Sequence, residues 1–461
     1  MQRFKAIKDK SKLDAIRPRS KSLKAKAHKL AYLIILVGAA LAIVRCFERL
    51  LIAVERGMQY YHDEVDQPSH ESILPKQMFC LQPIPSIVRI DNWTIVQAIN
   101  NSPFTEYAPQ VDLIWSRGWY NAVPLPAWVS MDYYNSPIRG TAKTDTEQMD
   151  QLLQPSEQTY RNGYLWIRRD HDLPYFVDTM LNGTSPESVK NLTLITSDGD
   201  PDVPFDNNEY SDFRNYKSLL TDPRIFHWYS QNVAQQHPKL TPLPIGMDLH
   251  TPFCAATTPL AIIQRMVEVY KSILPLKLRF PRILYDKGQF EHLNTSGCFN
   301  PKQHFCRRDE ARTETIDSVD NCTSQSLFFR LRNRTERMET WKLFGSYQFG
   351  IAPTGIGWDT HRMWEFLFFK TIPIVKSSPL DLLLIPAHVP VIILEDWNEL
   401  CSWNVTQRMK NYGDWIENAH EWLKPVLWIP RDQTRMDALC TASPGCWEIY
   451  KERMHFLDKW N

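Results

Sequence analysis

The run from Phe349 to Val375 constrains the fold more than any other part of this 461-residue chain. It reads Phe349-Gly350-Ile351-Ala352-Pro353-Thr354-Gly355-Ile356-Gly357-Trp358-Asp359-Thr360-His361-Arg362-Met363-Trp364-Glu365 and runs on to Thr371-Ile372-Pro373-Ile374-Val375. An apolar run, a glycine loop, a helical pattern and a second apolar run give strand, loop, helix, strand. Gly355 and Gly357 let the backbone come close to a ligand, and Asp359 or Thr360 is expected to cap the helix that follows. A helix N-terminus offers free N–H groups and the positive end of a dipole, which suits a diphosphate. Arg362 and Glu365, three residues apart, share a helix face. There the Arg can make charge-assisted bonds to phosphate and the Glu can accept both hydroxyls of a ribose. A tight turn, a capped helix and a surface Arg–Glu pair fit the same spacing.

Short apolar runs separated by polar or Gly/Pro loops begin near Ile87. They predict strands over 111–115, 164–167, 192–196, 225–228 and 243–245 in a first half, and over 282–285, 348–353, 372–375 and 389–394 in a second. Pro259 to Leu274 has apolar residues at helical spacing with Pro in its first turn, a helix joining the halves. Strand-then-helix order predicts an α/β chain of two doubly wound, Rossmann-like domains facing a cleft, over 87–257 and 258–430, with ligands at the carboxyl ends of strands. Gln289 to Thr323, polar and containing cysteines, is expected to be a surface insertion. Its Arg307, Arg308 and Arg312 are either phosphate-facing or an exposed basic loop. A helical pattern in the tail 431–461 is expected to pack across both halves.

The ends of the chain bear on location. The first 29 residues hold eleven Lys or Arg against Asp9 and Asp14, a net of +9 in a chain whose total is +1, so the folded body is acidic. A nucleic-acid-binding protein would carry its positive charge on the folded part. Leu30 to Val44 is uncharged, and 30–52 is expected to be a single transmembrane signal anchor with Lys29 and Arg45 snorkelling at its ends, followed by a stem over 53–86. The positive-inside rule leaves 1–29 as a cytosolic tail and the remainder in the lumen. Cleavage after Ala40-Leu41-Ala42 is the alternative, with a charged region unusually long for a signal peptide. N-glycosylation sequons stand at Asn92, Asn100, Asn182, Asn191, Asn294, Asn321, Asn333 and Asn404, all beyond the apolar segment. Of the nine cysteines only Cys46 lies at the membrane; the others suit an oxidising compartment, and Cys440 with Cys446 is expected to close a small loop.

The predicted strand 192–196 is followed by Ser197-Asp198-Gly199-Asp200-Pro201-Asp202. An acid at a strand end can take a proton from an acceptor hydroxyl. The same Asp198-Gly199-Asp200 could instead hold Mn²⁺ or Mg²⁺ on a diphosphate. A calcium loop is disfavoured by Val203 where that loop requires Gly, and a plain Asx-Gly turn also fits. Asp248 and His250 follow another strand and are further candidates for a base.

The segment around Gly355 resembles the nucleotide-sugar-binding half of the exostosin-like glycosyltransferases, nearest the ribitol xylosyltransferase-like branch. The matching residues are Pro353, Gly355, Gly357, Asp359, Arg362, Trp364, Glu365, Pro373, Ile374, Val375, Ser378, Pro379 and Leu380, then Pro390-Val391 and Asp396-Trp397. Weaker similarity extends to His227-Trp228, Gln231-Asn232, His237-Pro238-Lys239 and Pro244-Ile245-Gly246-Met247-Asp248, and Lys370-Thr371 departs from the pattern. The resemblance implies a GT-B fold, an acceptor-side first domain, a nucleotide-sugar-binding second domain and an inverting transfer from a nucleoside-diphosphate sugar, a UDP-sugar above all, to a glycan or glycoprotein. It assigns Gly355, Gly357, Asp359, Arg362 and Glu365 to the donor and Asp198 or Asp200 to catalysis, with no metal required. Together with the anchor it implies a Golgi type II membrane protein, the endoplasmic reticulum being the other early compartment. A metal-dependent transferase using Asp198-Gly199-Asp200 and a non-catalytic luminal lectin or scaffold are the competing readings.

Overall fold

The computed structural model describes residues 87–97, 110–119, 164–168, 173, 176–177, 191–200, 202–204, 216–251, 253, 256, 258–291, 304–429, 431–443 and 445–460. All fall in one compact unit, Gln77–Asn461. The expected tail, anchor and stem over 1–86 lie outside them, as do Cys46, Cys80, Cys254 and Cys298. Among the described residues no helix is long and apolar enough to cross a membrane.

Two parallel sheets form the body. The first has strands β4 (Tyr164–Arg168), β5 (Leu192–Ser197), β6 (Ile225–Ser230) and β7 (Leu240–Pro242) side by side in chain order. The second contains β8 (Phe280–Tyr285), β9 (Phe328–Arg330), β10 (Tyr347–Ile351), β11 (Ile372–Lys376) and β12 (Ile392–Leu394), arranged β12-β11-β10-β8-β9 with every pairing parallel. Strands covered on both faces have no polar side to show, so β10 reads as an unbroken buried run. The order reverses between β8 and β10, and an open α/β sheet binds its ligand outside the carboxyl ends of the strands at such a reversal.

The helices needed below are α1 (Pro259–Ser272), α2 (His304–Asp320), α3 (Arg337–Phe344), α4 (His361–Phe368), α5 (Val405–Glu417), α6 (Gln433–Thr441) and α7 (Cys446–Leu457). The expected joining helix is α1, started by Thr258, whose hydroxyl accepts from the Ala261 N–H, with Pro259 in its first turn.

Four expectations are corrected. The first-half range opens with an antiparallel hairpin, β1 (Ile87–Ile90) and β2 (Trp93–Gln97), joined by β3 (Gln110–Val111). This hairpin rests on second-half elements, with Trp93 5.6 Å from the His420 ring. Of the strand expected over 111–115 only Val111 belongs to a sheet strand, and Trp115 makes isolated bridges to Gly246 and Met247. Beyond Val111, Ile114 donates to the Leu423 carbonyl and accepts from Met247 N–H, a strap between segments. The strand expected at 243–245 is displaced to Leu240–Pro242, because Leu240 is the residue in register with Trp228 of β6. Finally, the expected surface insertion contains α2, with Asp309, Thr315 and Val319 buried. A Cys322–Cys401 disulfide ties the end of α2 to the segment before α5.

The expected Cys440–Cys446 disulfide closes the turn between α6 and α7. The tail lies mainly on the second half, where Arg453 donates to the Val389 and Val391 carbonyls, and reaches the first through Gln236 N–H donating to the Trp460 carbonyl. The described sequon asparagines, Asn92, Asn191, Asn321, Asn333 and Asn404, are all exposed.

Candidate active site

A cleft of about 880 Å³ opens between the two sheets, lined from both. That volume lies within the range of small-molecule sites.

On the second-half wall, β10 ends at Ile351 and the chain turns through Ala352–Thr360 into α4. The turn is closed by Gly355 N–H donating to the Gly357 carbonyl, 3.1 Å. A side chain at Gly355 would meet only the Thr360 methyl carbon at 3.1 Å and the Gly357 oxygen at 3.8 Å, so this stretch of backbone borders the cleft. Gly357 is different: a Cβ there would lie 2.5 Å from Asn232 Nδ2. The glycine expected to admit a ligand admits Asn232 of the first half. That one side chain donates to the Gly199 and Asp200 carbonyls, both at 3.1 Å, and accepts from Asp359 N–H at 3.1 Å. It ties the acid loop to the glycine loop.

Neither expected cap forms. Thr360 occupies the N-cap of α4 without a side-chain bond. Asp359 accepts from Ile245 N–H at 2.7 Å and from the Nε1 of Trp364, on α4, at 2.8 Å. It is 3% exposed, and burial pushes its carboxyl up to about 7 against the pull of those donors. Asp359 thus serves as a strap across the halves.

Arg362 and Glu365 do share a face of α4, but each has a protein partner. Arg362 donates to Asp286 Oδ2, 3.1 Å, at the carboxyl end of β8, and its guanidinium lies over Phe290 and Phe344 at 5.2 and 5.8 Å. Glu365 accepts from Arg337 Nη2 at 2.9 Å. Arg337, on α3, also donates to the Thr251 and Asp248 carbonyls, lies 3.4 Å from Asp248 Oδ2, and sits against Phe253 and Trp341. Burial works against its charge, but Glu365 and Asp248 outweigh burial and hold it protonated. Burial would likewise raise Asp248, yet Arg337, His361 and His250 hold it well below the usual carboxylate range.

From α2, Arg308 and Arg312 reach the cleft, four residues apart on one helix face. Arg308 donates to Asp309 Oδ1, 3.1 Å. Arg312 Nε and Nη1 are buried and have no hydrogen-bond partner. Burial, followed by Arg362 and Arg308, pulls its guanidinium down to about 9. Cations crowded in this way gain most from an anion that accepts from all of them. The Arg307 side chain lies outside the described residues.

On the first-half wall Asp198 follows β5 with φ +60°, its Oδ2 accepting from Arg117 Nε at 3.0 Å, its Oδ1 from Ser116 Oγ at 3.3 Å, and its N–H donating to Gln231 Oε1. Asp200 lines the cleft beside it. Asp248 and His250 follow the segment after β7, and His361, the first residue of α4, reaches the Gly246 carbonyl through Nδ1 at 2.8 Å.

The residues singled out from sequence, Asp198, Asp200, Gly355, Gly357, Asp359, Arg362 and Glu365, all border this one cleft. Those not foreseen are Arg337, Asp286, Arg117 and His361. Asp286 was findable as an acid ending a predicted strand; Arg337 and Arg117 carry no local signal.

No family model matches the chain, and no curated protein matches it. Among solved structures it is similar to OtsA in its apo form, at 13% identity, covering 63% of this chain and 75% of that one with a TM-score of 0.32. A UDP-forming trehalose-phosphate synthase from Burkholderia xenovorans is similar at 11% identity, 70% and 84% coverage and a TM-score of 0.34. A trehalose-6-phosphate protein from E. coli bound with UDP-2-fluoro glucose is similar at 12%, 63% and 75%, and 0.32. Likeness at these TM-scores decides neither fold family nor activity.

Proposed function

We propose that this protein is a glycosyltransferase of GT-B architecture and exostosin-like type, transferring a sugar from a nucleoside-diphosphate donor, a UDP-sugar above all, to a glycan or glycoprotein with inversion. The observation that carries the reading is the cluster of Arg308, Arg312 and Arg362 at the strand-order reversal of the second sheet, with two buried guanidinium nitrogens of Arg312 lacking a partner.

In this reading the donor diphosphate lies along the Gly355 backbone and the start of α4, and accepts from Arg312 and Arg362. Their charge stabilises the diphosphate as it leaves, which is where electrostatic catalysis is largest. Glu365 accepts the ribose hydroxyls with the oxygen that Arg337 leaves open. Gly357 and Asp359 hold the two walls in register for the donor.

Across the cleft Asp198 takes the proton from the acceptor hydroxyl, held in place by Arg117 and Ser116, with Asp200 beside it. The Arg117 contact weighs against the rival use of Asp198 as a ligand for Mn²⁺ or Mg²⁺ on the diphosphate. The exposed sequons and paired cysteines support a luminal body, and the basic tail and apolar run over 1–52 support a Golgi type II anchor.

The test is a screen of UDP- and GDP-sugars for hydrolysis and for a shift in melting temperature of the purified chain. Turnover of one donor, abolished in Glu365→Ala without unfolding, supports the reading. Failure of every nucleotide sugar to bind contradicts it and favours a non-catalytic lectin or scaffold.

A further inference from the structure

Asp248, His250 and His361 converge on the cleft from both halves, their ligand atoms within 4.8 Å of one another. We infer that these three side chains form a binding site for a divalent transition cation of the Zn²⁺ class, closing the cleft wall between the segment after β7 and the start of α4.

Three observations carry this beyond mere proximity. The first is the distance between the rings. A metal about 2.1 Å from one nitrogen of each of two imidazoles, at a near-tetrahedral angle, sets their centroids about 5 Å apart. The His250 and His361 centroids are 5.3 Å apart and the rings are tilted by 58°, unlike a stacked pair.

The second is the outer contact of His361. Its Nδ1 faces the Gly246 carbonyl at 2.8 Å, and since a carbonyl only accepts, Nδ1 carries the proton and Nε2 keeps its lone pair. A ligating histidine is usually oriented in this way by a backbone carbonyl on its other nitrogen. Gly246 itself is fixed, with φ +69° and a Cβ that would lie 2.3 Å from the Ile114 oxygen. The third is His250, whose Nδ1 is buried without a hydrogen bond, 3.3 Å from Asp248 Oδ1.

Beside the site two carboxylates, Asp248 and Glu365, share the single guanidinium of Arg337. Asp248 Oδ1 already accepts from Thr251 N–H at 3.0 Å, and a carboxylate has room for a further bond. Two imidazoles and one carboxylate suit Zn²⁺, Co²⁺ or Mn²⁺ better than Mg²⁺ or Ca²⁺. Three protein ligands leave a position open towards the cleft, as catalytic rather than structural zinc sites do.

The experiment uses the full chain freed of metal and needs no sugar nucleotide, so it can fail or succeed apart from the transfer reaction proposed above. Co²⁺ titration is followed by visible d–d absorption and Zn²⁺ titration by calorimetry. The expected result is one ion per chain, weakened at least about tenfold in His250→Ala and in His361→Ala and unchanged in Asp198→Asn. Because His361→Ala also removes the contact with Gly246, melting without metal checks its fold, and His250→Ala carries the test if that variant does not fold. No binding by the wild-type chain, or binding that survives both histidine changes, overturns the inference. Loss in Asp198→Asn alone also overturns it, by placing the ion on the acid loop.

Discussion

The second-half wall of the cleft carries the guanidinium groups of Arg308, Arg312 and Arg362, two nitrogens of Arg312 being unpartnered. The first-half wall carries Asp198, whose carboxylate is already held by Arg117 and Ser116. A wall with unused donors is built to gain from an anion that arrives. A wall whose acid is held in one orientation is built to act on something already in place. In the proposed function the difference separates binding from chemistry along the line between the two sheets, and each prediction below breaks or sharpens that division.

The largest effect is expected where the walls are joined. Arg337→Ala leaves the buried Glu365 and the half-buried Asp248 without their guanidinium, and breaking such a pair costs up to about 3–5 kcal/mol, read as the free energy of unfolding in urea. A loss below about 1 kcal/mol would show the triad to be solvated and the walls held by other contacts.

Next comes Asp198→Asn, expected to lower turnover by about 10² to 10⁴-fold, the span of a general base, while affinity for the nucleoside diphosphate stays unchanged. Lowered donor affinity in this variant would erase the division between the walls.

Gly357→Ala drives a methyl into Asn232 and should cost about 1–3 kcal/mol of stability. Combined with Asn232→Ala the two costs should fall short of additive, since the first variant's clash is then gone. Strict additivity would mean the two loops do not meet as described.

A further effect is in pH dependence. Asp359 has a folded-state value raised to about 7 from 3.8, so the folded state holds its proton more tightly and stability falls as pH rises through that window. Asp359→Asn should flatten this component of the melting-temperature profile. An unchanged slope between about pH 4 and 7 would locate the effect elsewhere.

Much of the second wall is legible in the sequence. β10, α4 and β11 come in one uninterrupted stretch of chain, and strands buried on both faces write themselves as apolar runs. Arg362 and Glu365 are readable as one helix face for the same local reason. What lies beyond that stretch is not written locally. Glu365 meets Arg337 across 28 positions and Gly357 meets Asn232 from the other half, so neither partner leaves a trace in spacing. The same glycine that looks like room for a phosphate is room for an asparagine. α2 was obscured by its polarity: a helix that lends one face to a cleft and another to solvent shows little apolar period, although Arg308 and Arg312 stand four apart. The hairpin at 87–97 rests on a ring near residue 420 that is distant in the chain, and the strand expected at 243–245 moved to Leu240–Pro242 because its register is set by β6, neither of which local spacing records.

The central claim is that the second wall holds the diphosphate of a sugar nucleotide, and calorimetric titration of UDP into the wild-type chain and Arg312→Ala tests it most directly. The account predicts binding by the wild-type chain, weakened about 10 to 100-fold in the variant, the loss of hydrogen bonds between charged groups. No binding of UDP, or equal binding by both chains, would contradict it.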